Sequence, residues 1–467
     1  MYNVREFIYF LLVVIVAVGA MGPASSVGSA GELRTIPLSK RRLQVAELRS
    51  AANRYYRHAG GDGHRHRETS TGQVSLHTLA RAVVEEPLQG DLLPLGEYYA
   101  VLGVDGQVID VQIDTGSSNL AFAVSRCADC PPSDGIIHLS HWNETSVPCS
   151  DQSICLPATC SGLCGGCSYE TQACCSFLDP SSCGMTLMYG DGSFVLGALH
   201  RGKVSLPAVN ITVQRAFFTA ILYDSSTFER PKVGGIWGLA YEAAACSPSC
   251  PTPLFDSMVK QGLVPRNVFS ICLSDKGGAL ILGGEADSRY RLGPYSWIPI
   301  ISQSPPVYYE VSIKDFEVGV GGSSLSAYID SAIFDSGTTL LAMGDTAFTA
   351  VISSMKRAVC AGNSSFCHSR FWSEAPACTA LSSSALASLP NMTITFKNDV
   401  KMVLDPDTYL IKVEVGGELL YCLGVEGIPG LGSTIVLGDV VLRRYTTVFN
   451  RENSSIGFAP SVPGCGH

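Results

Sequence analysis

Two short stretches constrain this chain more than anything else in it. They are Ile113-Asp114-Thr115-Gly116-Ser117-Ser118-Asn119 and, far downstream, Phe334-Asp335-Ser336-Gly337-Thr338-Thr339. Each follows a strand-like apolar run: Ile109, Val111 and Ile113 alternate before the first, and Ala332-Ile333-Phe334 precede the second. One Asp-Thr/Ser-Gly tripeptide is an ordinary strand-to-turn corner, because Asp and Gly suit turn geometry. Two copies in matched surroundings ask for a chemistry that needs two carboxyls. Held close together, two carboxyls cannot both ionise cheaply, so the first proton leaves easily and the second is retained. Such a pair shares one proton at mildly acidic pH: the ionised member can draw a proton from water and the protonated member can donate to a carbonyl. Gly116 and Gly337 allow tight turns without a Cβ, and Ser117 and Thr338 stand where a hydroxyl reaches the adjacent carboxylate.

The surroundings repeat as well. Gly235-Ile-Trp237-Gly238 and Ile435-Val-Leu437-Gly438-Asp439 each follow their Asp motif in the same order, the mark of a diverged internal duplication. From about Gly96 to about Pro460 the chain resembles a pepsin-family aspartic peptidase. The resemblance implies an all-β, bilobal fold with a few short helices and a deep cleft between lobes. Asp114 and Asp335 would be the catalytic residues, and Thr115, Gly116, Ser117, Ser336, Gly337 and Thr338 would support them. It implies polypeptide substrates, inhibition by pepstatin, a monomer, and no metal or organic cofactor. After Asn119 the family often has Trp; here Leu120-Ala121-Phe122-Ala123 stands, as in the β-secretase-like branch, which removes an indole donor that would help hold a flap tyrosine. Leu187-Met-Tyr189-Gly190-Asp191-Gly192-Ser193 suits the tip of a mobile hairpin. By resemblance, Tyr189, Gly190, Asp191 and Gly192 belong to the flap (187–195) that closes over bound peptide.

The 467 residues are 46% hydrophobic and 16% charged, enough to bury more than one core. Net charge is −9, unevenly spread: residues 1–85 carry 11 basic and 6 acidic side chains, the remainder 21 and 35. A basic leader on an acidic body predicts mutual attraction, and the acidic body does not suit nucleic-acid binding. Arg5 precedes an apolar run from Phe7 to Ala20, the pattern of a signal peptide over 1–20, with an uncleaved signal anchor as the alternative. No C-terminal membrane anchor is expected. Residues 21–85 read as a basic prosegment, since Arg34-Thr-Ile-Pro-Leu-Ser-Lys-Arg-Arg42 resembles a pepsin-type one. Its His58, His64, His66 and His77 gain charge below about pH 6.5, so the expected partner before activation is the protein's own acidic cleft. The lobes are expected over 86–300 and 301–467.

Eighteen cysteines point to disulfides and hence to the secretory pathway. Ten lie between Cys127 and Cys183, a turn-rich insertion too poor in apolar side chains to bury its own core. Similar insertions occur in nepenthesin-like relatives. Cys127/Cys130 and Cys164/Cys167 fit a zinc site on spacing alone, but the signal sequence favours disulfides. Late cysteines resemble the β-secretase-like arrangement, implying Cys272–Cys465 and Cys378–Cys422, with Cys360–Cys367 and Cys246–Cys250 as local pairs. Sequons at Asn143, Asn210, Asn363, Asn391 and Asn453 mark candidate glycan acceptors. Asp105-Gly106 predicts a hairpin turn into the Asp114 strand. Thr252 is expected to cap a helix with Leu254, Phe255, Met258 and Val259 on one face. Asp345 is expected to cap another, with Phe348, Val351, Ile352 and Met355 inward.

The expected function is that of an acid-active endopeptidase made as a secreted zymogen. The alternative is a catalytically silent peptide-binding or inhibitor-like protein on the same fold. A Cys-rich adhesion module would account for residues 127–183 but not for the duplicated motif.

Overall fold

The computed structural model describes residues 83–466 except 93–96, 128–129, 131–134, 156–165, 168–173, 190–192, 226–232, 247–248, 362–364, 373–377 and 416. The expected signal sequence, nearly all of the expected prosegment, Cys160, Cys164, Asn363 and the flap residues Gly190, Asp191 and Gly192 lie outside the described residues. What is described is mainly β-structure, with a sheet of thirteen strands, one of seven, and two small ones.

The strand Gln107–Asp114 buries Ile109, Val111 and Ile113 on one face, as a period of two requires. It pairs with Glu97–Val104 across the two-residue turn Asp105-Gly106, whose φ values of 50° and 74° are those of a tight hairpin turn. Gly235–Gly238 then runs parallel to it, with Gly238 opposite Asp114, and Leu120–Ala123 lies antiparallel on the other side. The second half repeats the device. Thr434–Leu437 runs parallel to Ser331–Phe334, and Leu341–Met343 pairs antiparallel with it. In each half the aspartate loop therefore passes directly over a glycine. A Cβ on Gly238 would stand 2.5 Å from Ser118 backbone atoms, and one on Gly438 would stand 2.3 Å from the carbonyls of Thr338 and Leu340. No side chain fits there.

The chain returns on itself at its end. Tyr445–Asn450 pairs with Val268–Leu273, and Ser455–Pro460 pairs with Ser296–Pro299, so the large sheet joins the last strands to the first half. The opening strand Val84–Asp91 enters the same sheet beside Lys276–Leu282. The boundary expected at residue 300 thus falls where one continuous sheet runs on from strands of the first half to the closing pair. Most of the apolar core is one cluster spanning both halves, with Trp237, Tyr98, Tyr309 and Phe449 among its fully buried members.

Seven disulfides join described residues, and no described cysteine is free. Cys272 bonds Cys465, Cys378 bonds Cys422, Cys360 bonds Cys367 and Cys246 bonds Cys250. In the insertion, Cys149 bonds Cys175 and Cys155 bonds Cys183. Cys127 bonds Cys130, which removes both from the zinc reading.

The helix expectations need correction. Leu254–Lys260 is helical, but its N-cap is Pro253, with no side-chain cap. Thr252 instead donates to Glu242 Oε1 at 2.9 Å and accepts from Lys260 Nζ at 3.3 Å, so its hydroxyl is spent elsewhere. Asp345 is the first residue of the helix Asp345–Ala361 and not its cap; there its carboxylate still meets the positive end of the helix dipole. Val351 and Met355 are buried, and Phe348 and Ile352 pack against the core.

Candidate active site

Each aspartate sits at the end of its strand, and the loop after it folds back to hold the carboxyl. Asp114 Oδ1 accepts from the Gly116 amide at 2.8 Å, and Oδ2 accepts from the Ser117 hydroxyl. Asp335 is held by the same pair of donors: Gly337 N to Oδ1 at 2.8 Å and Thr338 Oγ1 to Oδ2 at 2.7 Å. The middle residues cross between halves. Thr115 Oγ1 donates to Phe334 O and accepts from Ser336 N, both at 2.9 Å; Ser336 Oγ donates to Ile113 O at 2.8 Å and accepts from Thr115 N at 3.2 Å. This doubled exchange is fully buried, since Thr115 and Ser336 have no exposed surface.

The grip brings the carboxyls together. A Cβ on Gly116 would lie 2.6 Å from all three carboxyl atoms of Asp335, and one on Gly337 would lie 2.3 Å from Asp114 Oδ1. Each acid thus lies over the other loop's glycine, close enough that the charge of Asp335 acts on Asp114. Burial pushes the Asp114 carboxyl well above the ordinary carboxylate range. The neighbouring charge of Asp335 pushes the same way, against the hydrogen bonds from Ser117 and Gly116. A pair so placed can keep one proton between two carboxyls, the condition for combined acid and base action.

A Thr115→Val substitution keeps the shape of the side chain but leaves Ser336 N and Phe334 O buried without a partner. It is expected to cost about 1–3 kcal/mol, readable as a lower urea midpoint. An unchanged midpoint would mean that the crossing hydroxyls do not hold the halves together.

Tyr189 ends the outgoing arm of a hairpin in which Gly184–Met188 pairs with Phe194–Leu206, and its amide donates to Ser193 O at 2.9 Å. It is half-buried against an apolar cluster that includes Ala121, Met185, Leu187 and Val195. The sequon residues Asn143, Asn210, Asn391 and Asn453 are exposed.

Sequence reasoning missed two groups beside the pair. Tyr308 is 39% exposed, yet close enough that both aspartates, after burial, push its phenol upward. Asp439 is fully buried, and neither of its carboxyl oxygens has a hydrogen-bond partner. Burial first, then the charges of Asp335 and Asp114, hold it well above the usual range. A lone acid inside Ile435-Val-Leu-Gly-Asp439-Val-Val-Leu442 was the available signal, because an isolated charge in an apolar run must be neutralised or paired.

A β fold built by duplication, with two carboxyls meeting where its halves touch, defines the aspartic peptidase class. Residues 97–461 match the family model described as eukaryotic aspartyl protease. The chain is 28% identical to pepsin A of Bos taurus over 397 residues, which cover 83% of this chain and 90% of the bovine protein. It is 32% identical to pepsin II-2/3 of Oryctolagus cuniculus over 286 residues, or 60% of this chain and 66% of that protein. To cathepsin D of Dictyostelium discoideum it is 27% identical over 375 residues, or 79% and 84%. The chain belongs to the eukaryotic aspartyl protease family. It is an aspartic endopeptidase, a hydrolase acting on peptide bonds.

Proposed function

We propose that Asp114 and Asp335 are the catalytic pair, and that they hydrolyse internal peptide bonds at acidic pH with water as the nucleophile. The carboxylate member removes a proton from the bound water, which attacks the scissile carbonyl. The protonated member donates to the carbonyl oxygen. The tetrahedral intermediate then collapses as a proton passes to the leaving amine. Substrate lies extended between the halves, bound partly through its main chain, with the hairpin of Tyr189 closing over it and Tyr308 beside the pair. Support comes most directly from the mirrored carboxyls, each held by a glycine amide and a hydroxyl, with each loop's glycine under the other acid.

The chain is further proposed to enter the secretory pathway through residues 1–20 and to be held inactive by residues 21–85, with lobes over 86–300 and 301–467. The supporting features are the charge contrast between leader and body, the disulfides and the exposed sequons. Assay of the full chain on internally quenched peptides from pH 2 to 8, before and after acid treatment, tests this. Activity is expected only on the acidic side, rising as the leader is removed. Equal rates before and after trimming would remove the inhibitory role, and no turnover at any pH would favour a silent peptide-binder.

Acid conditions also suit the fold. Glu86, on the opening strand, is 1% exposed, its Oε2 has no partner, and burial pushes its carboxyl up to about 7. The folded state therefore holds this proton more tightly than the unfolded chain, where the group titrates near 4.5. Its stabilising effect is complete below that value and is lost as pH rises through about 7. The melting temperature should fall between pH 4.5 and 7, and Glu86→Gln should recover on the order of 5 °C of that fall. An identical fall in the variant would clear Glu86 of the effect.

A further inference from the structure

Both halves support their aspartate loops from below with two successive amides, but they differ one layer further out. Under Asp114, the amides of Leu239 and Ala240 donate to Asp114 O and Ser117 O, both at 2.7 Å. Under Asp335, the amides of Asp439 and Val440 donate to Thr338 O at 2.8 Å and Thr339 O at 3.0 Å. Each supporting residue also has a carbonyl that needs a donor of its own. In the second half a helix begins at once, Asp439–Leu442, and Arg443 N takes Asp439 O at 2.9 Å. In the first half no helix starts there; the chain continues into a short 3-10 turn at Glu242–Ala245.

The missing donors come from the other end of the chain. Arg451 lies in the hairpin between the closing strands Tyr445–Asn450 and Ser455–Pro460, and its side chain is 1% exposed. Its Nη2 donates to both Leu239 O and Ala240 O, the latter at 2.9 Å. Its Nε donates to Tyr309 Oη at 2.7 Å, and Tyr309 Oη in turn donates to Leu239 O at 2.6 Å. Nη1 pairs with Asp256 Oδ2 at 2.8 Å. The rings of Tyr241, Phe255, Phe269 and Tyr309 surround the guanidinium, with centroids 5.0–5.8 Å away. A buried ion pair is seldom the cheapest way to fill a core, but a planar fork fixes several acceptors in one orientation, which an ammonium cannot do.

We propose that Arg451 is a positioning residue for the reaction. With Tyr309 it fixes Leu239 and Ala240, whose amides hold the Asp114 and Ser117 carbonyls, and so sets how the Asp114 carboxyl faces Asp335. In the first half it does what a helix backbone does in the second. The proposal takes Asp114 as half of the catalytic pair. A positioning role differs from a purely structural one in what each surviving molecule can do. Two variants of the full chain test it, Arg451→Lys and Tyr309→Phe, assayed after acid treatment beside the parent, with active sites counted by titration with pepstatin. Arg451→Lys is expected to lower kcat per titrated site by roughly 10- to 100-fold, as small misplacements of a reacting group do, with KM changed by less than about twofold, since uniform substrate binding is untouched. Tyr309→Phe, which removes one hydroxyl, is expected to lower kcat in the same direction by roughly 3- to 10-fold. Parental kcat per titrated site in Tyr309→Phe, whether Arg451→Lys folds or not, would overturn the proposal and leave Arg451 a strut. A parent without turnover would instead be a failure of the dyad assignment, visible before either variant is read.

Discussion

Asp114→Asn and Asp335→Asn are each expected to lower kcat/KM on a quenched peptide by at least ~10³-fold while leaving a folded protein. The size follows from losing general acid and general base action together, since each alone contributes about 10²- to 10⁴-fold. An amide cannot exchange a proton with its neighbour, so the remaining carboxyl has nothing with which to share. The fold should survive because the contacts around each acid suit an amide. Its oxygen can still accept from the Gly116 or Gly337 amide, and its NH₂ can donate to the Ser117 or Thr338 hydroxyl. At Asp114 the change also removes a buried carboxyl whose ionised form the site disfavours, so the melting temperature at neutral pH should hold or rise. Parental activity in either variant would refute the pair.

Gly337→Ala is expected to be nearly as damaging to activity, for a purely steric reason. Its backbone needs no left-handed conformation, so alanine is locally acceptable. The added Cβ, however, would stand 2.3 Å from Asp114 Oδ1 and 2.7 Å from its Cγ. To restore van der Waals contact the Asp114 carboxyl must move by about 1 Å, a misplacement that costs about 10²-fold in rate. Gly337 is exposed, so little packing is lost and the unfolding free energy should stay within about 1 kcal/mol of the parent. Full activity with unchanged stability would show that the carboxyls are not confined as described. Gly116→Ala should act in the same way on Asp335, whose carboxyl atoms lie 2.6 Å from the added carbon.

The aspartate loops were legible from the sequence because their determinants are local. Alternating Ile109, Val111 and Ile113 specify a strand, Asp105-Gly106 specifies its hairpin, and the residues that hold each carboxyl lie within three positions of it. The duplication was legible because its order repeats, and resemblance supplied what spacing could not, notably Cys272 with Cys465 across 193 residues. The outer layers were not legible. Tyr308 and Tyr309 are adjacent, yet one lies beside the pair and the other is wholly buried. Strand alternation says that their faces differ but not which face meets the site. Arg451 stands in Asn450-Arg-Glu-Asn453, which reads as an exposed polar turn; only tertiary contacts with Asp256, Leu239 and Ala240 make it a buried one. Thr252 shows the same limit from the other side. Its sequence position suits a cap, but Glu242 and Lys260, distant until the chain folds, compete for its hydroxyl.

In the proposed mechanism two acids from separate halves lie side by side and hold one hydrogen between them. Neutron diffraction from a deuterated crystal grown at acidic pH reads this directly. One deuteron located between the Asp114 and Asp335 carboxyls is the expected result. Carboxyls turned apart, or both free of deuterium at a pH where the enzyme works, would contradict it.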